Sequence, residues 1–343
     1  MNSSRGTSTF LKAIVIDVTL FSRQKDELQQ VFLLRNWKFS REKKILQSCT
    51  SLVEIKMSMM NGEETYPLLM NFLPDAAVRK AEVELHETPE NRLKGLKEIK
   101  KMLMMDKSTS NIDFEDDYLI QFLRHAKYNA TRAFQRLRTM TIFKKKNSNL
   151  LIPLPDESFL TKSSPNFMLY LPKRCPDGCA IVLCRLGMLS PDEVSMTDIK
   201  RLFFISFTQT LRDPMTQING VKIIHDFTNV SLRYLRHLTP SNLYLLKHAS
   251  MDCVPARYKA VHIVNESIVM RAAWMIIHRF MTDKIIKRVI FHSDTEGLFD
   301  YFPRSILPPE YGGHLDDTST DDWSRRTNKY QEQDTAGGLR SFY

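Results

Sequence analysis

From position 167 to 291 the chain alternates short apolar runs with longer helical ones, and this alternation restricts the fold more than any other feature of the sequence. The runs at 167–171, 180–186, 221–227, 260–264 and 289–291 are rich in β-branched and apolar residues, as strands are. The segments 197–211, 240–251 and 267–281 between the later runs are long enough for three or four helical turns. Parallel strands need crossovers of a dozen or more residues, and helices of this length supply them. The pattern therefore predicts an α/β fold with a mostly parallel sheet.

Upstream the period changes. The segments 76–85, 89–105, 113–125 and 130–145 read as helices, with Leu93, Leu96, Ile99, Met102 and Leu103 recurring at three and four residues. Thr88 followed by Pro89 is a cap and a first helical position, and Tyr128 and Asn129 mark a break before the last helix. Tyr118, Leu119, Phe122 and Leu123 fall on one side of the third. This gives a helical subdomain over 74–150, a proline-bearing connection at 152–155, and a second domain over 151–315. A leader over 1–73, with one helical pattern near 25–35, precedes them, and a polar tail over 316–343 follows. The leader is expected to be poorly ordered. No internal repeat or low-complexity tract interrupts the chain.

Several function classes fall away on composition. The apolar stretch 10–21 is broken by Lys12 and Asp17 and is shorter than the ~20 residues a bilayer span needs. No small-residue cleavage site follows it, so a cytoplasmic protein is expected. Five cysteines, Cys49, Cys175, Cys179, Cys184 and Cys253, are too few and unevenly spaced for a disulfide framework or a zinc site. The net charge of +10 would fit a nucleic-acid binder if it were spread, but it is local. Residues 1–60 hold ten Lys/Arg against five Asp/Glu, and 252–292 hold seven against three. The basic residues also lack the interleaved aromatics that stack on bases. Glycine-rich phosphate loops, the nucleophile elbow and the zinc-protease motif are all missing, and with 11 glycines a phosphate cradle has little material. His225 and Asp226 at a strand end leave open a lipid hydrolase, against the plainer reading of a half-buried polar pair.

The segment 252–288 carries more. Arg257 and Lys259 are two apart at the start of a strand and so share a face, along which Val261 and Ile263 follow. Lys284 and Arg288 are four apart on a helical turn. If strand and turn are neighbours, four cations converge where a multiply phosphorylated headgroup could be gripped; the alternative is four solvated charges at element ends. Between them, 267–281 is apolar nearly all round, which suits either a core helix or a cover over something greasy. The run Leu202, Phe203, Phe204, Ile205, Phe207 could wall the opposite side of a cavity.

Five ordered motifs go further. They are Asp117-Tyr-Leu-Ile-Gln-Phe-Leu-Arg124, Asn219-Gly-Val-Lys-Ile-Ile-His-Asp226, Pro255 to Glu266, and Phe280 to Arg288, closed by Leu307-Pro-Pro-Glu-Tyr-Gly-Gly313. Together they resemble the CRAL-TRIO lipid-binding family, in the branch of alpha-tocopherol transfer protein, cellular retinaldehyde-binding protein and the clavesins, over roughly residues 74–315. The resemblance implies a three-layer αβα domain with an internal lipid cavity behind a helical subdomain. It implies a movable gate near 267–281, with Trp274, Ile277 and Phe280 on it. Pocket positions would be Phe203, Phe204, Phe207, Val221, His225, Leu246, Ala249, Val261 and Met270. Arg257, Lys259, Lys284 and Arg288 would match the basic positions those relatives use for phosphatidylinositol bisphosphate. Two positions depart from the pattern. Ala126, with Lys127 beside it, replaces a basic residue, and Phe203 and Phe207 stand where the tocopherol binder has small serines, so tocopherol is not itself implied.

The expectation is a non-enzymatic monomer without cofactor or nucleic-acid partner. It would bind one lipid, retinoid or tocopherol-like molecule and exchange it at anionic, phosphoinositide-bearing membranes, endosomal or other, to which it attaches peripherally. A lipid-sensing or trafficking adaptor that does not transfer is the nearest alternative, and a lipid hydrolase is the third.

Overall fold

The protein, seen as a computed structural model, is described over residues 73–148, 167–189 and 194–315. The expected leader apart from Leu73, the helical pattern at 25–35, Cys49, the prolines at 152–155 and the tail lie outside the described residues.

Four helices come first: α1 Asp75–Leu85, α2 Pro89–Met105, α3 Asp116–His125 and α4 Ala130–Lys146. Their ends follow from local chemistry. Thr88 accepts a hydrogen bond from the Asn91 amide at 3.2 Å with Pro89 at the first helical position. Helix α3 starts three residues later than the spacing predicts, because Phe114 is buried in the core and Glu115 is extended. Lys127 and Tyr128 both adopt positive φ, at 53° and 57°, which turns the chain before Asn129 caps α4 through the Arg132 amide.

The sheet strands are β1 Met168–Tyr170, β2 Ala180–Arg185, β3 Val221–Asp226, β4 Tyr258–Val264 and β5 Val289–Phe291. They lie side by side in chain order, β1 antiparallel and the other four parallel. Parallel strands that step in one direction with right-handed crossovers send every connecting helix to the same face. Those connections hold α5 Met196–Thr210, α6 Pro214–Asn219, α7 Pro240–Lys247, α8 Ile268–Ile277 and the short α9 Asp283–Ile286. Helix α6 was invisible to apolar spacing. Asp213 makes it, accepting from the Met215 and Thr216 amides while paired with Arg174.

The two faces of the sheet are accordingly covered by different material. On the helical face Tyr170, Val182, Cys184, Val221 and Ile223 share one core with α2 to α5. On the other, Leu169, Ile181, Leu183, Ile224 and Val264 pack against Leu298, Phe302, Ile306, Leu307 and Tyr311. That second outer layer is built of 3-10 turns at Glu296–Asp300, Arg304–Ile306 and Pro309–Tyr311. The helical region and the sheet belong to one compact unit. Arg124 joins them: it grips Glu87 with two bonds of 2.7 Å and donates to Gln217 of α6 at 2.6 Å, all nearly out of water. A buried guanidinium is tolerable only with such partners.

Simple alternation fails at one place in β4. The register to β3 shifts between Val221 and Lys222, whose partners are Tyr258 and Ala260, so Lys259 is an extra residue in the strand. The expected shared face of Arg257, Lys259, Val261 and Ile263 is therefore broken, and Tyr258 joins Val261 and Ile263 on the helical side. Gly220, at φ 93°, makes room: a Cβ there would lie 2.3 Å from the Arg257 carbonyl.

On the opposite side of β4 the buried ring of His262 stacks on His292, Nδ1 to Nε2 2.9 Å, beneath Phe302 and Tyr301. Burial, then His292 and Lys222, push the His262 pKa down to about 3. Burial also lowers that of His292 against the pull of Asp294 and Asp300. The unfolded chain takes up these protons near pH ~6.5 and the folded one does not, so stability is full above that pH and is lost as pH falls toward the folded value. The melting temperature should be flat between about pH 7 and 8 and drop between about pH 6.5 and 4.5. In His262→Gln that slope should be shallower, whatever the variant's absolute stability; an identical slope contradicts the assignment.

Candidate functional site

Between the helical face of the sheet and helices α5, α7 and α8 lies a cavity of about 370 Å³, toward the lower end of the ~300–1,000 Å³ typical of small-molecule sites. Its floor is β3 and β4, through Ile223, His225, Val261 and Ile263. Phe203, Phe204 and Phe207 of α5 form one wall, and Leu243 and Leu246 of α7 with Ala249 of the π-turn His248–Cys253 form the next. Met270, Trp274 and Ile277 of α8 roof it, with Phe280 just beyond. Val221 points the same way as Ile223 but is fully buried in the main core, two residues nearer the strand start, and does not line the space. Phe143 of α4 and Tyr234 of the 3-10 turn Leu232–His237 do line it, and spacing did not single them out. Phe143 is one more apolar position on a helix whose partner is settled only by tertiary packing. Tyr234 sits in a stretch without period.

The α5 wall is braced by rings. Phe203 and Phe207 stack at 6.4 Å between centroids; Phe167 meets Phe203 edge-on at 5.9 Å, and Tyr258 meets Phe207 at 5.5 Å. Phe143 and Phe204 lie 5.6 Å apart. Offset and edge-on ring pairs each add ~0.5–1.5 kcal/mol beyond area burial, and a wall so braced resists falling into the void.

Helix α8 has an apolar inner face and an outer face on which apolar side chains flank Arg271, which is paired with Glu266. Ser267 caps it by accepting from the Met270 amide, and Met270, Ala273, Trp274 and Ile277, at helical spacing, face the cavity. On the outside Ile268 is 82% exposed, Met275 61% and Ile276 38%. Large apolar side chains left in water beside one another mark a contact surface. Among the described residues no helix is long and apolar enough to cross a membrane.

Three of the four expected cations gather at the start of β4, and Lys284 is linked to them only through a shared neighbour, His125. Arg257 and Lys259 flank Tyr258, whose carbonyl accepts from the Arg288 guanidinium. Lys284 stands a turn before Arg288 in α9, and its charge reaches His125 together with those of Arg257 and Arg136. Burial first, then Arg136, Arg257 and Lys284, drive the His125 pKa down to about 3. Arg136 of α4, tied to the Met251 and Val254 carbonyls, is a fifth cation that strand and turn spacing could not reveal. The counter-charge is Glu84 of α1, 3.2 Å from Arg257 and 3.9 Å from Lys259. Burial and Arg257 together depress the Lys259 ammonium despite Glu84. Ala126 is partly buried against the core and Lys127 is exposed.

His225 and Asp226 point to opposite faces of β3. Burial lowers the His225 pKa to about 4, on the cavity side. The Asp226 carboxylate is held on the other by the Tyr311 hydroxyl at 2.7 Å, the Asn265 amide and Thr228. An acid turned away from its base cannot orient it, so this pair forms no catalytic dyad. The four described cysteines are buried thiols, raised by burial to about 11 at Cys175 and about 12 at Cys179 and Cys253, and raised at Cys184 too. Such groups stay protonated at neutral pH and are poor metal ligands.

The profile of the CRAL/TRIO domain matches residues 165–313. Alpha-tocopherol transfer protein-like of Mus musculus is 30% identical over 253 residues, 74% of each chain. Its Homo sapiens counterpart is 29% identical over 83% of this chain and 84% of that one. Clavesin-1 of Rattus norvegicus is 28% identical over 74% of this chain and 72% of its own.

The bracing of the wall is open to test without a ligand. Phe207→Ala should cost near the lower end of the ~3–5 kcal/mol usual for buried Phe→Ala, since part of the new space merges with the existing void. Urea unfolding with an unchanged m-value would read it. A loss below ~1 kcal/mol contradicts a rigid aromatic wall.

Proposed function

The chain belongs to the CRAL/TRIO family, and from that membership we propose that it is a carrier. It holds one hydrophobic small molecule in its cavity and exchanges it at membranes that bear phosphoinositides. Lipid binding and transport follow from the family; the exchange step, the membrane and the headgroup are this proposal. The observation that carries it is a cavity lined almost wholly by apolar side chains, roofed by a helix that exposes large apolar side chains outside as well.

The energetics explain why a membrane is needed. Removing ~400 Å² of ligand from water gives a gross ~10 kcal/mol at ~25 cal/mol per Å², of which association costs take a large part. Leaving into water returns that whole apolar surface to solvent, so the barrier to aqueous release is high whatever the net affinity. A bilayer changes both sides of that balance, since it dissolves the ligand and also covers Ile268, Met275 and Ile276, which are exposed in the free protein. Opening α8 at a membrane then moves apolar surface from one apolar medium to another.

Arg257, Lys259, Lys284 and Arg288 supply the attachment. A Lys or Arg near an anionic surface contributes ~1 kcal/mol, so four give reversible docking. Arg257 and Arg288 offer planar, multi-donor heads to phosphate. Glu84 competes for the same cations, and a headgroup that seats there displaces it. The protein therefore attaches peripherally, with α8 toward the bilayer.

Flotation with phosphatidylinositol bisphosphate vesicles tests this. Arg257→Ala with Lys284→Ala should weaken binding ~30-fold, two cations at ~1 kcal/mol each, and slow ligand movement between such vesicles. Glu84→Gln should act in the opposite sense and tighten binding severalfold. Vesicle affinity and transfer rate that ignore both changes would count against the scheme.

A further inference from the structure

Strand β5 meets different material on each of its faces. It is three residues long, lies at the edge of the described sheet and pairs with β4 through Val261–Val289, His262–Ile290 and Ile263–Phe291. Just past it the His292 amide donates to the Ile263 carbonyl at 2.9 Å. On the helical face the Phe291 ring stands edge-on to Trp274 of the cavity roof, 5.2 Å between centroids. On the opposite face the next residue, His292, stacks on His262. What loosens His292 therefore loosens Phe291, and with it the support of Trp274. So short an edge opens locally at less cost than the sheet as a whole.

The histidine pair has no place for a further proton. The 2.9 Å contact between His262 Nδ1 and His292 Nε2 holds one hydrogen, and His262 Nε2 is buried with no hydrogen-bond partner among the described residues. A charged imidazole donates from both nitrogens. A protonated His262 therefore carries an Nε2–H without an acceptor, enclosed by Tyr301 and Phe302; with both rings charged, two N–H groups meet head to head. Lys222 of β3, paired with Asp177 at 3.0 Å, adds a like charge on the His262 side. Asp294 and Asp300 act on His292 and do not overcome its burial. Resting on the carrier reading above, we propose that the His262–His292 pair is an acid-sensitive latch on the roof. Proton uptake by the pair parts β5 from β4, withdraws Phe291 from Trp274 and frees α8, so that cargo leaves more readily as the surroundings acidify. The sign follows from burial. In the closed form the His262 pKa is about 3, and once β5 parts the ring regains its ordinary value of ~6.5. Protons thus bind the open form: closure is intact above that ordinary value, and below it the open population grows ~10-fold per pH unit for each histidine released.

Hydrogen exchange of the lipid-free full chain reads the latch without cargo. Exchange of the Ile268–Ile277 amides is compared at about pH 7.5 and about pH 5.5, corrected for the intrinsic rate, with α3 and α4 as internal reference. Opening of α8 relative to that reference should rise ~10-fold or more at the lower pH. His262→Phe keeps a ring in the stack and should remove ~10-fold of that rise. Phe291→Ala, at a partly exposed position, cuts the link instead: α8 should be loose at both pH values, while the melting temperature still falls on acidification. Native mass spectrometry then follows cargo, taken up from vesicles of a total cell-lipid extract and returned to phosphatidylcholine vesicles; return should quicken at the lower pH in the parent and less in His262→Phe. Protection of α8 that ignores pH, an identical response in either variant, or cargo release indifferent to pH would overturn the latch. Lipid uptake beside a pH-blind α8 leaves the carrier standing, whereas a responsive α8 in a protein that takes up no lipid overturns the carrier and not the opening of the roof.

Discussion

An apolar void inside a protein survives only if its walls cannot relax into it, and here that condition is met by aromatic rings locked to one another. Phe167, Phe203, Phe207 and Tyr258 form a continuous edge-on and stacked series from the connection before β1, through α5, to the first residue of β4. Tyr258 belongs to that series because the extra residue at Lys259 turns it to the helical side, and Gly220 permits the extra residue. One irregularity at the start of β4 thus serves two ends. It completes the wall, and it sets Arg257 and Lys259 apart from the apolar positions that follow.

The unequal covering of the sheet bears on the same point. One face is sealed by closely packed 3-10 turns with Phe302 and Leu298 fully buried, while the other carries helices that need not all be equally tight. Among these, α8 keeps large apolar side chains in water. That state costs stability in the free protein and is relieved where the solvent is itself apolar. The cations at the start of β4 are restrained by Glu84. Under the proposed docking, the surface that meets the membrane and the cavity roof are neighbours in the chain, across residues 257–288.

Much of this was legible in the sequence wherever a local rule decides the outcome. Thr88-Pro89 and Ser267 announce helix starts, and the strand runs at 180–186, 221–227 and 289–291 fall within a residue or so of the observed strands. The alpha-helical alternation and the apolar ring of α8 needed no coordinates. What escaped depends on partners far away in the chain. Helix α6 rests on an Asp213 cap paired with Arg174. Glu84, Arg136 and Tyr234 acquire meaning only beside residues more than a hundred positions away or beneath a helix from another part of the fold. Arg257 and Lys259 depart from one shared face at a bulge of which strict alternation carries no sign, and Val221, expected at the pocket from the family resemblance, is buried in the core beyond the cavity.

If the space under α8 is a compartment for one apolar molecule, native mass spectrometry of the freshly purified, unstripped protein will show a single added mass in the lipid range at one per chain, released by gentle activation and regained on exposure to vesicles. A protein that carries no such mass and takes none up from vesicles would contradict that role.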